Sequence, residues 1–517
     1  MIPPLTTAGD HPPARPPLLR KHPELSALRV HAFGLTAGLV TGVDYVASAM
    51  LGIAGSHIQG GLHASPLEYL WALTGFAAAA VVANLVIGQF ASQISYRRFI
   101  LASLAVFILG SLLCAGAQNI TELTLARVVQ GLGGGALFTA ARIIVQLVSA
   151  PDERRTLFFG FCAGSFGLLA LAPVLSAHLV ENQGWRGVFL VQASLAVPVM
   201  LLVQLTFPRR VRPPGRLRLG HLDWFVALTF GVGLLLVLHA LEDVRYLRFA
   251  AEPALAMTTV IGGILFVSAL WRLHRHPDAW LDPRKLLGRR YLVGLAFYSL
   301  YYLFSGAWNY LLPSFLQAGL GYDFHTTAYV MSFGSSITLV AALGFLLILP
   351  KVFRKRRVIF GGYLALALAL WLISERAMTG ASVAAILPAV ALEGLTTPML
   401  ILQVATMTYL DLTDEDFAHG YQLKNIMREV VTALGIGLAS LELQSRQAQA
   451  RNDLVGNLDA ESLPRFLPGG ATAEGLARWS AEIDRQASLI ASQQLFLIVA
   501  ALCVVAAVVV AWQKALR

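Results

Sequence analysis

From Val30 almost to the C-terminus the chain repeats one pattern, a long apolar run followed by a short polar or basic break. The runs lie at 29–54, 66–93, 99–118, 122–149, 156–181, 188–207, 222–241, 254–272, 292–315, 326–350, 358–375, 381–410, 421–445 and 490–512. Roughly 20 apolar residues suffice for an α-helix to cross a hydrocarbon core about 30 Å thick. The runs do not alternate with the period of two that a barrel strand needs, and backbone inside lipid must satisfy its own hydrogen bonds. The pattern therefore predicts an all-α integral membrane protein with fourteen transmembrane helices.

The breaks carry the organisation. Residues 1–28 are rich in proline and basic residues, lack a cleavable signal pattern and read as a disordered cytoplasmic tail. A basic, breaker-rich linker occupies 208–221, and an amphipathic basic stretch at 273–291 is suited to the anionic inner leaflet. The segment 446–488 is far longer than the other outer loops and reads as a water-exposed cap. Arg97 and Arg98, Arg154 and Arg155, Arg209 to Arg218, Arg272 to Arg290 and Lys351 to Arg357 fall on alternate loops. With both termini in the cytoplasm, the positive-inside rule is obeyed throughout.

Composition narrows the class. With 56% hydrophobic and 13% charged residues the chain lies outside the soluble range. Its net charge of +10 sits at the ends of apolar runs rather than in a basic domain, which argues against nucleic acid. Cys114, Cys162 and Cys503 fall inside predicted spans, so they are expected to be small buried hydrophobes rather than a disulfide framework. There is no metal cluster, no cofactor motif and no phosphate-binding G-x-x-x-x-G-K-[ST] loop, so neither an enzyme nor an ATP-driven pump is expected.

Candidate chemistry lies at polar positions inside the runs, where a charge is costly and should face a cavity or a partner. Asp44, midway along span 1, shares a helical side with Thr41, Tyr45 and Ser48; proton coupling, cation recognition and a structural acid are all compatible with it. Glu393, near the middle of span 12 and followed by Thr396 and Thr397, is a second candidate cavity carboxylate or a partner for Arg428. Arg127, Gln130, Gly131 and Gly134 share a face of span 4 on which the glycines permit close approach of a neighbour. Tyr421, Asn425, Arg428 and Thr432 share a face of span 13, while the adjacent Arg428 and Glu429 point about 100° apart and are expected to serve different neighbours. In span 9, Tyr298, Tyr301, Tyr302, Ser305 and Asn309 recur at helical spacing, either as helix packing or as a surface for apolar or cationic organic molecules.

Several motifs give these positions a family setting. Leu125-Ala126-Arg127-Val128-Val129-Gln130-Gly131-Leu132-Gly133-Gly134 resembles the fourth-span signature of major facilitator transporters. Gly88 to Arg98 resembles their cytoplasmic gating loop, with Gly88, Arg97 and Arg98 kept but Ser92 in place of the usual acid and Ser95 in place of the second glycine. Ala172-Pro173-Val174-Leu175-Ser176-Ala177 stands where exporters carry G-P-x-x-G-G; the glycines are missing, although Pro173 can still bend the helix. Gly184-Trp185-Arg186-Gly187-Val188-Phe189, Leu281-Asp282, Asn425-Ile426-Met427-Arg428 and Gln486-Ala487 are similar in order and spacing to the fourteen-span drug:proton antiporter branch (EmrB/QacA type).

That resemblance implies two six-helix bundles, 29–207 and 292–513, around a central cavity, with two additional helices at 222–272. It implies export of small amphipathic compounds, as in multidrug efflux, by proton antiport across a bacterial inner membrane, with Asp44, Glu393 and Arg127 in coupling. Lipid, protons and a small-molecule substrate are the expected partners, and the 446–488 loop is suited to a periplasmic adaptor and outer-membrane channel. An importer on the same fold and a non-transporting scaffold or sensor stay open as alternatives.

Overall fold

A computed structural model describes residues 23–148, 153–209, 211, 224–243, 253–275, 288–352, 355–408, 412, 414–456 and 472–513. Each predicted run is helical. The spans are 1 (Pro23–Leu62), 2 (Pro66–Ile94), 3 (Tyr96–Gly116), 4 (Ile120–Gly134 and Leu137–Val148), 5 (Arg154–Gln183), 6 (Arg186–Thr206) and 7 (Trp224–Asp243). Then follow 8 (Pro253–Arg275), 9 (Arg289–Ser314, extended by a π-turn Phe315–Gly319), 10 (Phe324–Val352) and 11 (Lys355–Ser374). Span 12 comprises Val383–Thr397, a π-helical turn Pro398–Leu402 and Gln403–Thr408; spans 13 and 14 are Asp414–Gly456 and Ala473–Trp512. The tail 1–22, most of the 208–221 linker, most of 273–291 and the middle of 446–488 lie outside the described residues.

Ten described helices are long and apolar enough to cross a membrane, and Trp224–Ala240 and Ala256–Arg272 are shorter apolar helices. Spans 9 and 13 complete the set. They carry more polar residues because they face the protein interior rather than lipid.

The helices start where local chemistry permits. Ser65 and Glu68 form a capping box at span 2, with Pro66 in its first turn, and Asn119 caps span 4 by accepting from the Glu122 amide at 2.9 Å.

Spans 1 to 6 enclose two apolar clusters, the larger of which also takes in Ala342 of span 10 and Phe417 and Tyr421 of span 13, and spans 9 to 14 enclose another. Spans 7 and 8 pack on each other and lie against spans 2 and 13, through a cluster that includes Val81, Leu85, Phe230, Ala269 and Ile426. Spans 1 and 5 pack backbone to backbone. A Cβ on Gly38 would stand 2.3 Å from the Phe161 carbonyl oxygen, and one on Gly164 would stand 2.6 Å from that of Leu35. Only glycine fits such a backbone-to-backbone contact.

Beyond the apolar runs the helices continue. Span 13 extends to Gly456 and span 14 begins at Ala473, so the described flanks of the expected cap are helix rather than loop. They form a hairpin joined by Arg451 to Asp484 at 2.6 Å and Gln447 to Ser488 at 3.0 Å. Hydropathy ends at the lipid, whereas helical hydrogen bonding does not; polar residues with partners across the hairpin carry it on.

Candidate functional site

The two bundles meet through charge in mid-span. Arg428 Nη2 of span 13 donates to Asp44 Oδ2 of span 1 at 2.9 Å, with both side chains almost fully buried. The same guanidinium donates to Glu429 Oε1, against the expectation that these neighbours diverge. A helix turns 100° per residue, but both side chains are long enough to fold back across that angle, and a guanidinium has donors for two acids. Phe138 and Tyr45 stand beside the cation, with ring centroids 4.8 and 5.8 Å from Arg428 Cζ. Exclusion of water by these rings strengthens the ion pair.

One turn toward the basic side, where span 1 begins, a second inter-bundle seam is built from amides. Asn425 of span 13 donates to the Thr139 hydroxyl of span 4, which donates to the Asn84 side-chain oxygen of span 2. Asn84 Nδ2 donates to Ala80 O at 2.9 Å and to Gly135 O at 2.8 Å, the latter in the break within span 4. Gln422 Nε2 donates to the Asn84 and Leu85 carbonyls at 2.6 and 2.8 Å. Arg142 and Lys424 line the same region, Arg142 5.6 Å and Lys424 4.7 Å from the Tyr421 ring centroid.

Toward the opposite side the faces of spans 1 and 9 draw apart. Along the face of span 1 that carries Asp44, Thr41 is buried, Tyr45 half-buried, and Ser48, Gly52 and Ser56 exposed. Span 9 shows the same gradient: Tyr298 and Tyr301 are buried, Tyr302 and Ser305 half-buried, and Asn309 exposed. The gap between the bundles is thus sealed on the basic side of Asp44 and open on the other. Spans 5 and 10 stay in contact along their length, through Arg155 to Leu347 O at 3.3 Å, Ser332 to Ala170 O at 2.7 Å and His325 to Glu181 at 2.5 Å.

Glu393 is placed apart from the ion pair. It is half-buried on span 12, one turn before Thr397, whose hydroxyl hydrogen-bonds Tyr301 Oη at 2.7 Å. The π-turn that follows begins at Pro398, which cannot donate a backbone hydrogen bond and so loosens the helix beside this contact. Tyr302 packs on Tyr298 and Tyr301, with centroids 4.7 and 5.3 Å apart. Arg428 does not reach Glu393; its partners are Asp44 and Glu429.

Arg127 lies within the first bundle. Nη1 donates to Gln130 at 2.5 Å, Nε to Ala72 O at 3.4 Å, and the guanidinium covers Phe76 at 4.0 Å. Gln130 donates in turn to Ser111 at 2.7 Å and Gln192 at 2.8 Å, so this network ties spans 2, 3, 4 and 6 without touching Asp44. Gly131 and Gly134 serve the predicted close approach, Gly131 against Phe76 O and Gly134 against the Phe107 ring. Gly88 faces Gln422 across the boundary, whereas Arg97 donates to Gln204 O at 2.6 Å within its own bundle and Arg98 is exposed. Pro173 is buried within an unbroken span 5. Ser95, where a glycine was expected, holds φ 80° and ψ 153°, a conformation suited to glycine.

Asn84, Thr139, Arg142, Gln422, Lys424 and Phe138 were not singled out in the sequence. Arg142 and Lys424 could have been, because charges inside apolar runs are costly. Asn84 and Thr139 carry no such signal, since each looks like an isolated small polar residue until the fold brings it to the other.

Comparisons with known proteins give the family and the fold. The family model of the Major Facilitator Superfamily matches residues 37–435. The putative multidrug resistance protein MdtD of Cronobacter sakazakii (strain ATCC BAA-894) is 28% identical over 386 residues, covering 73% of this chain and 79% of the relative. The probable multidrug resistance protein EmrY of Escherichia coli (strain K12) is 24% identical over 432 residues, covering 82% of each. Among solved structures, an auto-inhibited POT family peptide transporter superposes with a TM-score of 0.63 at 14% identity, covering 93% of this chain and 96% of that one. This last likeness is one of fold.

Proposed function

Because the chain belongs to the Major Facilitator Superfamily, we propose that it is a secondary active exporter of small amphipathic organic compounds, driven by proton antiport. The observation that carries this reading is the buried Asp44–Arg428–Glu429 group, which bridges the bundles at the closed end of the gap. A bridge that exists only while the bundles are together is broken or made as they rock, and adding a proton to Asp44 weakens it. Proton entry and the change of access are then one event. The names of the relatives above supply the direction and the compound class: multidrug resistance requires efflux.

In this reading Asp44 exchanges the proton, and Arg428 and Glu429 set its charge balance. The Arg127–Gln130 network holds the first bundle rigid, and Gly88, Gln422, Asn425 and Thr139 form the cytoplasmic seal. The basic side faces the cytoplasm of a bacterial inner membrane, in keeping with the loop charges. The helical hairpin of spans 13 and 14 projects outside, where it is suited to an adaptor and outer-membrane channel. One charge crossing 100 mV supplies about 2.3 kcal/mol.

The test is efflux of a panel of lipophilic cations, weak acids and neutral compounds from cells expressing the chain, with and without collapse of the proton gradient. Gradient-dependent loss of at least one class is expected, and Asp44→Asn should abolish it. Unchanged gradient-dependent efflux by Asp44→Asn would remove Asp44 from coupling; gradient-driven accumulation would make the protein an importer.

A further inference from the structure

Spans 7 and 8 supply no residue to the ion pair or the amide seam, yet span 7 touches both bundles, and the two contacts differ in kind. To span 2 it is fixed along its length. Near the basic side the Trp224 and Phe90 rings meet edge-on, with centroids 6.3 Å apart. At mid-span a Cβ on Gly231 would stand 2.4 Å from Val82 Cγ2, so the backbone of span 7 is drawn against that side chain. Further along, the His239 and Trp71 ring centroids lie 3.6 Å apart. Span 8 is bound to span 7 by glycine in the same way: a Cβ on Gly233 would stand 2.6 Å from the Phe266 amide nitrogen, and one on Gly262 2.7 Å from Leu236 Cβ. Interlocked rings and glycine contacts fit in one position and do not deform smoothly into another.

Toward span 13 the contact is of another sort. Span 13 brings Leu423, Ile426, Val430, Ala433 and Leu434 to the shared cluster, an aliphatic stripe at helical spacing. Aliphatic contact has no preferred direction, and lipid tails can replace it at little cost. Packed helices with such a surface between them can slide. The neighbouring positions on span 13 are those of the amide seam, Gln422 bonded to span 2 and Asn425 to span 4. Amides laid open to hydrocarbon are costly, whereas water satisfies them. Spans 5 and 10 close one flank of the gap along their length. On the flank of spans 2 and 13, span 7 bears on both.

We propose that spans 7 and 8 travel with the first bundle as a lateral shield, and that span 13 slides along their aliphatic face as the bundles rock. The parting seam then meets water from the basic side and not lipid from the flank. The assignment rests on the reading of the chain as a rocking transporter, so its test includes one distance that reports the rocking by itself.

Spin labels at Arg98→Cys on the first bundle, Phe225→Cys on span 7 and Arg357→Cys on the second bundle occupy exposed positions, and the buried native cysteines can be replaced by alanine. Taken two at a time in the full-length protein in lipid nanodiscs, they give three distances by double electron–electron resonance, measured with and without Asp44→Asn, which removes the charge that Arg428 meets across the seam. The Arg98–Arg357 and Phe225–Arg357 distributions should shift together while Arg98–Phe225 stays fixed. A shift in Arg98–Phe225, or a fixed Phe225–Arg357 distance while Arg98–Arg357 changes, would overturn the shield and leave the rocking intact. If none of the three changes, the rocking is absent and the shield falls with it. A label at Gly88→Cys, where a Cβ would stand 3.9 Å from Gln422 Oε1, reports what enters the seam. In Asp44→Asn its collisions with a water-soluble nickel chelate should rise; a rise with lipid-dissolved oxygen instead would mean that the flank is open and would equally overturn the proposal.

Discussion

Thr139→Val tests whether the amide seam holds the gap shut. The substitution keeps the shape of the side chain and removes only the hydroxyl, at a site where Asn84, Thr139 and Asn425 are each 0% exposed. It leaves the Asn84 oxygen without its donor and the Asn425 amide without its acceptor, and the Asn425 oxygen already has no partner. A buried polar group stripped of its partner costs about 1–3 kcal/mol. The cost falls on the sealed state alone, because water reaches these groups once the bundles part. Taking about 1 kcal/mol for each orphaned group gives ~2 kcal/mol, a shift of roughly 30-fold in the ratio of open to sealed forms. The two Gln422 hydrogen bonds remain, so the seam should weaken without failing. Double electron–electron resonance reads this directly, with spin labels at Arg98→Cys and Arg357→Cys, exposed positions on the basic side of the two bundles. The native cysteines are buried and can be replaced by alanine. Growth of a longer-distance population is expected; a distribution identical to that of the parent, or one shifted to shorter distance, would refute the reasoning.

The remaining expectations concern stability. Ser95→Gly should raise the melting temperature by relieving backbone strain of about 1 kcal/mol, because the Ser95 hydroxyl is buried without a hydrogen bond and nothing is lost with it; an unchanged or lower melting temperature would contradict this. Gly38→Val should destabilise by roughly 3 kcal/mol or more, since the new side chain would meet the Phe161 carbonyl; thermal unfolding in detergent measures it, and wild-type behaviour would mean that spans 1 and 5 can separate.

Hydropathy made the fourteen helices legible because lipid imposes a single length scale on every crossing. It could not show where spans 13 and 14 end, since their polar extensions are held by partners such as Arg451 and Asp484 rather than by burial. Asp44, Glu393 and Arg428 were visible as charges in apolar surroundings, which is a property of one residue in one segment. The pairing of Asp44 with Arg428 was not, because it joins positions 384 residues apart. Glu429 was misplaced for a different reason: Cα geometry fixes where a side chain starts, and a flexible four-bond reach decides where it ends. Arg127 and Gln130 drew notice together on one face of span 4, yet the further neighbours Ser111 and Gln192 are a hydroxyl and an amide on other spans, common enough there to give no warning.

Span 13 runs without interruption from Asp414 to Gly456, and Arg428 lies one third of the way along it. From Arg428 to the last described turn is about 42 Å at 1.5 Å per residue. A tilt on the order of 10° about the bridge would carry that far end through roughly 7 Å. The hairpin is therefore a mechanical pointer. Under the proposed mechanism, a partner against its described far end would receive a change at the Asp44–Arg428 bridge as a displacement, with no signal passing through side chains in between.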